Sequence, residues 1–260
     1  EISKKSNTEI LPIDSEHFSI YQLTKNCDDN DIKKIYITAS GGPFLRKPLK
    51  FFKNIKANQA VKHPKWKMGK KISIDSSNLM NKVLEVIEAY KFFPFHQKKY
   101  EILIHPQSLI HAIVLFKNGQ TKLLYHETDM KIPIANAIYN NRIDMKTLMK
   151  NDTHFLKNLK YLKFEKVDKK RFPIVTLLGN KTYNNSGSII LNASNEILVE
   201  SFIKNKISFN SIYQCLKQLF KDRDFNKYAI KKRPNIKEVY KIDKWARKKT
   251  IEIINKRWWK

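Results

Sequence analysis

Apolar residues at Leu79, Met80, Val83, Leu84 and Ile87 recur at the three- and four-residue spacing of one helix face, so the chain from Ser76 onward predicts a helix with a buried stripe. Asn81, Glu85 and Glu88 share a different face of it. Ahead of the helix, residues 72–75 (ISID) read as a short strand, and residues 63–71 (HPKWKMGKK) as a lysine-rich loop carrying an aromatic and a thioether side chain. At 10–13, ILPI reads as the end of an apolar strand. An acidic turn and a helix follow, with Asp14 or Ser15 as N-cap and Phe18, Tyr21 and Leu23 facing inward. Apolar runs at 32–39, 99–104 and 109–116 predict strands, and Asn118-Gly119 predicts a tight turn into a further strand at 120–126. Residues 127–139 read as a turn and a short helix opened by Pro133.

Between about 141 and 172 the periodicity fades into Asn-, Asp- and Lys-rich sequence, and beyond it the pattern is helical: 172–181, 188–206, a helix capped by Ser208, and 234–259. In the last of these, Ile236, Val239, Ile242, Trp245 and Ala246 make one apolar face. The fold class that follows is α/β (α+β), a mixed open sheet with helices, then a small C-terminal helical bundle. The expected division is a domain at 1–150, a linker at 151–172 and a helical domain at 173–260.

Composition adds limits. The 260 residues, 42% hydrophobic and 12% aromatic, are enough for a sizeable core. No apolar run approaches the roughly 20 residues that span a bilayer, and no signal peptide opens the chain. Glu1 stands where an initiator Met would, so the chain reads as a fragment or a processed form. Cys27 and Cys215 lie far apart with no CxxC pattern and are expected to be reduced thiols. The formal charge of +27 would attract polyanions nonspecifically. The lysines nevertheless run through the whole chain alongside many Asn and Ile residues, as A/T-rich coding would give. Neither a specific nucleic-acid partner nor a membrane is expected.

Candidate chemistry rests on a few side chains. With six glycines the chain has no GxGxxG or P-loop pattern, and HExxH is absent. Gly41-Gly42, after the 32–39 strand, suits either a turn or a close backbone approach. Asp14 and Glu16 suit helix capping, and equally suit two oxygen ligands for a divalent cation that would need a third carboxylate from elsewhere. Trp66 and Met68 suit a lid over an anionic substrate, or a surface loop with the indole tucked inward.

Taken together, LPIDSEH (11–17), ASGGPF (39–44), residues 63–89, IHPQSLIHAIV (104–114), DMKIPIA (129–135) and LNASNEI (191–197) resemble the 1-deoxy-D-xylulose-5-phosphate reductoisomerase family. The resemblance is colinear from about residue 9 to the C-terminal helices. It implies an NADP-dependent, divalent-metal-dependent oxidoreductase/isomerase of the non-mevalonate isoprenoid pathway. Such an enzyme converts a phosphorylated ketose, 1-deoxy-D-xylulose 5-phosphate, to 2-C-methyl-D-erythritol 4-phosphate with Mn²⁺, Mg²⁺ or Co²⁺ and NADPH.

By that resemblance Asp14, Glu16 and Glu85 are the metal ligands, with Glu88 in a supporting role. Glu16, Glu85, His63 and Trp66 are the catalytic positions. Ser15 meets a substrate hydroxyl, and Ser40, Ser76, Asn81 and Lys82, with His63, hold the phosphate. Trp66 and Met68 belong to the lid, and Met68, Gly69 and Met130 lie on the coenzyme side. Ser108 and His111 are supports. The family's N-terminal Rossmann-type NADPH domain and its Asn-Lys-Glu segment have no counterpart here, so the chain alone is expected to be inactive. Val83 replaces a usual Gly, and DMKIP replaces DMRTP. A homodimer and a cytoplasmic setting, bacterial in preference to plastid, are further expectations. The competing reading is a basic protein on a degenerate enzyme scaffold that binds nucleic acid or anionic surfaces.

Overall fold

A computed structural model describes residues 2–62, 68–148, 158–179, 183 and 185–256. In chain order the elements are α1 (Ile2–Lys5), α2 (Ser15–Thr24), β1 (Ile32–Ala39), α3 (Ala57–Ala60), α4 (Lys70–Asn78), α5 (Met80–Phe92), β2 (Tyr100–Ile104), β3 (Ile110–Phe116), β4 (Thr121–Tyr125), α6 (Lys131–Ile138), β5 (Glu165–Lys166), α7 (Gly187–Ile203), α8 (Phe209–Leu219), α9 (Phe225–Ala229) and α10 (Ile236–Asn255). Compactness groups them into two units, Glu1–Ser40 with Phe92–Lys166, and Gly41–Lys91 with Val167–Lys260. The division expected at 1–150 and 173–260 follows sequence character, whereas this grouping assigns the segment around α4 and α5 to the same unit as the C-terminal helices.

The first unit is built on a five-stranded mixed sheet of order β4-β3-β1-β2-β5. β1 and β2 run parallel, with Ile35 opposite Tyr100 and Ala39 opposite Ile104, and the other neighbours are antiparallel. A parallel pair cannot be joined by a tight turn, and residues 40–99 are the long connection between these two strands. The interior strands are rich in β-branched residues, with Ile32, Ile35, Ile37, Ile110 and Val114 fully buried. Edge strand β4 is exposed over its first residues and alternates less clearly. Helix α2 lies against β3 and β4 through Phe18 and Ile20. Each fully buried Ile or Phe contributes about 1.5–3 kcal/mol.

In the second unit, α10 packs on α7 and α8, and α4 packs on α7. Phe44, Phe52, Phe202 and Phe209 form an aromatic cluster with centroid distances of 5.6–6.1 Å. A capping box starts α10, where Asn235 accepts from the Glu238 backbone and Glu238 reciprocates.

Several expectations need correction. Residues 72–75 are helical. An alternation of four residues is too short to separate the two periods, and Lys71 with Asp75 at i, i+4 favours the helix. The helix expected from Ser76 is two helices, because Leu79 takes a left-handed conformation at φ 69° between them. No strand forms at 10–13, and the sheet's strands begin at Ile32. Pro133 is the third residue of α6, within the first turn, where its missing N–H costs nothing. Tyr21 is half-buried, with its hydroxyl donating to Glu9.

Val83, where the resemblance leads one to expect Gly, is fully buried in α5. Val83→Gly should therefore lower stability by about 3 kcal/mol, from the lost three-carbon isopropyl group and the poor helix propensity of Gly. An unchanged urea midpoint would contradict this packing.

Candidate active site

In the first unit the chain enters α2 through Asp14, the N-cap, whose Oδ1 accepts from the Glu16 N–H at 3.2 Å. Ser15 and Glu16 are buried, and the Ser15 hydroxyl donates to Glu16 Oε2. Asp14 is 48% exposed, and the Nδ1 of buried His17 stands 3.6 Å from its Oδ1. Capping and ligation are compatible, since each carboxylate has two oxygens and about four lone-pair sites. Asp14, Ser15 and Glu16 thus form a compact group of oxygen donors of the kind that suits a hard divalent cation.

The histidines nearby are occupied by the backbone. His111 and His126 stack with centroids 3.8 Å apart and ring planes at 9°. His111 Nε2 bonds the His126 carbonyl at 3.3 Å, and His126 Nδ1 the Glu127 carbonyl at 2.8 Å. Burial holds the pKa of His126 below the usual imidazole value. His111 thus has one ring nitrogen engaged by the backbone, and nothing in the sequence singled out His126. His105 stacks on Phe164 at 4.6 Å and bonds the Lys163 carbonyl, and burial lowers its pKa also. Ser40, just beyond β1, is half-buried. Met130 is the half-buried N-cap residue of α6.

In the second unit the polar face of α5 is closely knit. Lys82 Nζ donates to both Glu85 oxygens at 2.8 and 2.7 Å, and Asn81 Nδ2 donates to Glu85 Oε1 at 3.3 Å. The side chains of Lys82 and Glu85 are only 8% and 12% exposed, so this ion pair is poorly screened. Glu88, on the same face by periodicity, is exposed. The α5 N-terminus is capped by Asn78, whose Oδ1 accepts from Met80 N–H at 2.8 Å.

Ser76 is buried in the last turn of α4. Gly42, at φ 64°, lies so close to this turn that a Cβ on it would meet Ser76 O and Ser77 Cα at 2.9 Å. Of the two roles open to Gly41-Gly42, close approach is the one realised at Gly42. Gly69 is the exposed N-cap of α4, with Met68 half-buried before it. His63 and Trp66 lie outside the described residues. Sequence reasoning missed Asp75 and Asn195, which bond across helices; the i, i+4 spacing of Lys71 and Asp75 was the only signal available.

Two family models match. One, described as the 1-deoxy-D-xylulose 5-phosphate reductoisomerase C-terminal domain, covers residues 10–93, and the other, described as the DXP reductoisomerase C-terminal domain, covers residues 126–249. The chain is similar to 1-deoxy-D-xylulose 5-phosphate reductoisomerase of Pelagibacter ubique, at 47% identity over 94% of this chain and 62% of that protein. It is likewise similar to the Wolbachia pipientis enzyme of the same name, at 41% identity over 87% of this chain and 57% of that protein. The chain thus spans about three fifths of these relatives' length.

Among solved structures, a crystal structure of DOX-P reductoisomerase in complex with NADPH, fosmidomycin and magnesium matches with a TM-score of 0.88 at 35% identity. That match covers 97% of this chain and 65% of that one. The Zymomonas mobilis enzyme in complex with NADPH matches with a TM-score of 0.84 at 32% identity, covering 97% of this chain and 63% of that one.

Proposed function

Because the chain belongs to the 1-deoxy-D-xylulose 5-phosphate reductoisomerase family, we propose that it forms the metal- and substrate-binding part of an enzyme that converts 1-deoxy-D-xylulose 5-phosphate to 2-C-methyl-D-erythritol 4-phosphate. The observation that carries this reading is the pair of carboxylates at the start of α2, one of them buried and both within the region matched at 10–93. Asp14 and Glu16, with Glu85 as the third carboxylate, would hold the cation, and their hard oxygen donors fit Mn²⁺ or Mg²⁺. When bound, the cation supplies Lewis-acid stabilisation of developing enolate-like charge, and NADPH supplies hydride.

The chain's own residues do the rest. The Ser15 hydroxyl, which donates to Glu16 here, turns to a substrate hydroxyl. Ser40 and Ser76 donate to the phosphate, Asn81 gives a directed amide bond, and Lys82 gives a point charge at the start of a helix whose dipole favours an anion. The Lys82–Glu85 pair must open for this to happen, so substrate and cation binding are expected to reinforce one another. Phosphate binding remote from the reacting carbons helps hold them in place. His63 and Trp66 complete the catalytic set and Met68, Gly69 and Met130 the coenzyme side in the same reading.

A homodimer and a cytoplasmic location are part of the proposal. Both are carried over from the family resemblance; the relatives are bacterial, and among the described residues no helix is long and apolar enough to cross a membrane. The competing reading as a nucleic-acid or anionic-surface binder finds no support in relatives that carry the enzyme's name.

The test is NADPH oxidation by the intact gene product with 1-deoxy-D-xylulose 5-phosphate. Turnover should vanish on chelation and return with Mn²⁺. Full activity in chelator would exclude the metal-dependent reading.

A further inference from the structure

One carboxylate of the second unit serves none of the roles above. Asp75 lies in the last turn of α4 and is 1% exposed. Lys71, one turn earlier, brings Nζ to 2.7 Å from Oδ2. Asn195, in the interior of α7, donates its Nδ2 to Oδ1 at 2.9 Å. Desolvation pushes the Asp75 pKa up, and Lys71 and Asn195 oppose it.

A buried carboxylate is a costly way to join two helices, since a well-packed apolar pair achieves contact without desolvating a charge. What the carboxylate adds is direction. A hydrogen bond of good geometry fixes the rotation and axial position of the turn that carries it, where apolar side chains tolerate sliding. The residue fixed along with Asp75 is its neighbour Ser76. The same turn is held from a second side by the backbone of Gly42, which has no room for a side chain there. Lys71 balances the Asp75 charge, so a carboxylate one residue from Ser76 need not repel an incoming anion.

We propose that Asp75, through its bond to Asn195 and its pair with Lys71, is a positioning residue that fixes the Ser76 hydroxyl for the substrate phosphate. The proposal rests on the assignment of Ser76 and Lys82 to that phosphate.

The test is a phosphorus NMR titration of the full chain with inorganic phosphate, run beside thermal unfolding of each variant. The unsubstituted chain should bind saturably and Lys82→Ala should abolish binding, which checks the phosphate assignment by itself. Asp75→Asn and Asn195→Ala should each weaken binding about tenfold. The exchange Asp75→Asn with Asn195→Asp, which keeps the cross-helix hydrogen bond with donor and acceptor reversed, should recover most of that loss.

Undiminished binding in Asp75→Asn and Asn195→Ala, where Lys82→Ala abolishes it, overturns the proposal and leaves the phosphate assignment standing. A loss that the exchange does not recover reduces Asp75 to a fold-stabilising role and also overturns it. No binding by the unsubstituted chain, or full binding by Lys82→Ala, overturns the assignment and the proposal together. Should Asn195→Ala fail to fold, Asp75→Asn and the exchange carry the same comparison.

Discussion

Glu85→Gln should lower Mn²⁺ affinity by more than about 100-fold, since it removes a proposed ligand outright and loss of a mere supporting partner already costs 10–100-fold. The same change should destabilise the chain in the absence of metal. The Lys82 ammonium and Glu85 carboxylate are nearly buried and bonded at 2.7 and 2.8 Å. Breaking a buried pair from one side costs about 3–5 kcal/mol, and the amide that remains can still accept one hydrogen bond, so a loss near the bottom of that range is expected. The two effects separate in the double variant Glu85→Gln with Lys82→Met, which removes the orphaned charge: stability should return and metal affinity should not. Manganese EPR titration and urea unfolding measure them independently. Retention of full Mn²⁺ affinity in Glu85→Gln would rule out a three-carboxylate site.

Gly42→Ala should be more destabilising than the same change at Gly41 or Gly119, at about 4 kcal/mol. A left-handed backbone costs an L-residue roughly 1–2 kcal/mol, and the new methyl must also push against the backbone at Ser76 and Ser77, from 2.9 Å. Overpacking of that kind adds about 1–3 kcal/mol. Two other glycines give the scale. Gly119, at φ 87° with nothing nearby, should lose only the conformational cost on replacement by Ala. Gly41, at φ 81°, meets only the flexible tip of Leu45 and should fall between. Thermal unfolding of the three variants should rank them Gly119, Gly41, Gly42 in increasing loss; equal losses would mean that backbone proximity to the Ser76 turn is energetically irrelevant.

The sheet was readable because β1, β2 and β3 are short apolar segments rich in Ile and Asn118-Gly119 marks the hairpin. The α5 stripe was readable because Met80, Val83, Leu84 and Ile87 keep one period. Residues 72–75 were misread because four residues hold less than two helical turns, and the Lys71–Asp75 pair and the packing of buried Ile74 that support the helix are not registered by hydropathy alternation. The break at Leu79 carried no signal, since nothing about a leucine announces a left-handed backbone; in the fold Leu79 is buried and the Asn78 side chain accepts from the Met80 N–H beyond it. At the site, oxygen-rich DSE suggested ligands by chemistry, while the roles of Ser76, Asn81 and Lys82 came from resemblance. The bond between Asp75 and Asn195 joins positions 120 apart in sequence, and no local pattern contains it.

The single left-handed residue at Leu79 sets the angular phase of α5 against α4. Each residue inserted or deleted there would swing Asn81, Lys82 and Glu85 together by about 100° around the helix axis. The three would keep their mutual bonds and lose their common bearing relative to Ser76. The length of this stretch should therefore admit no change.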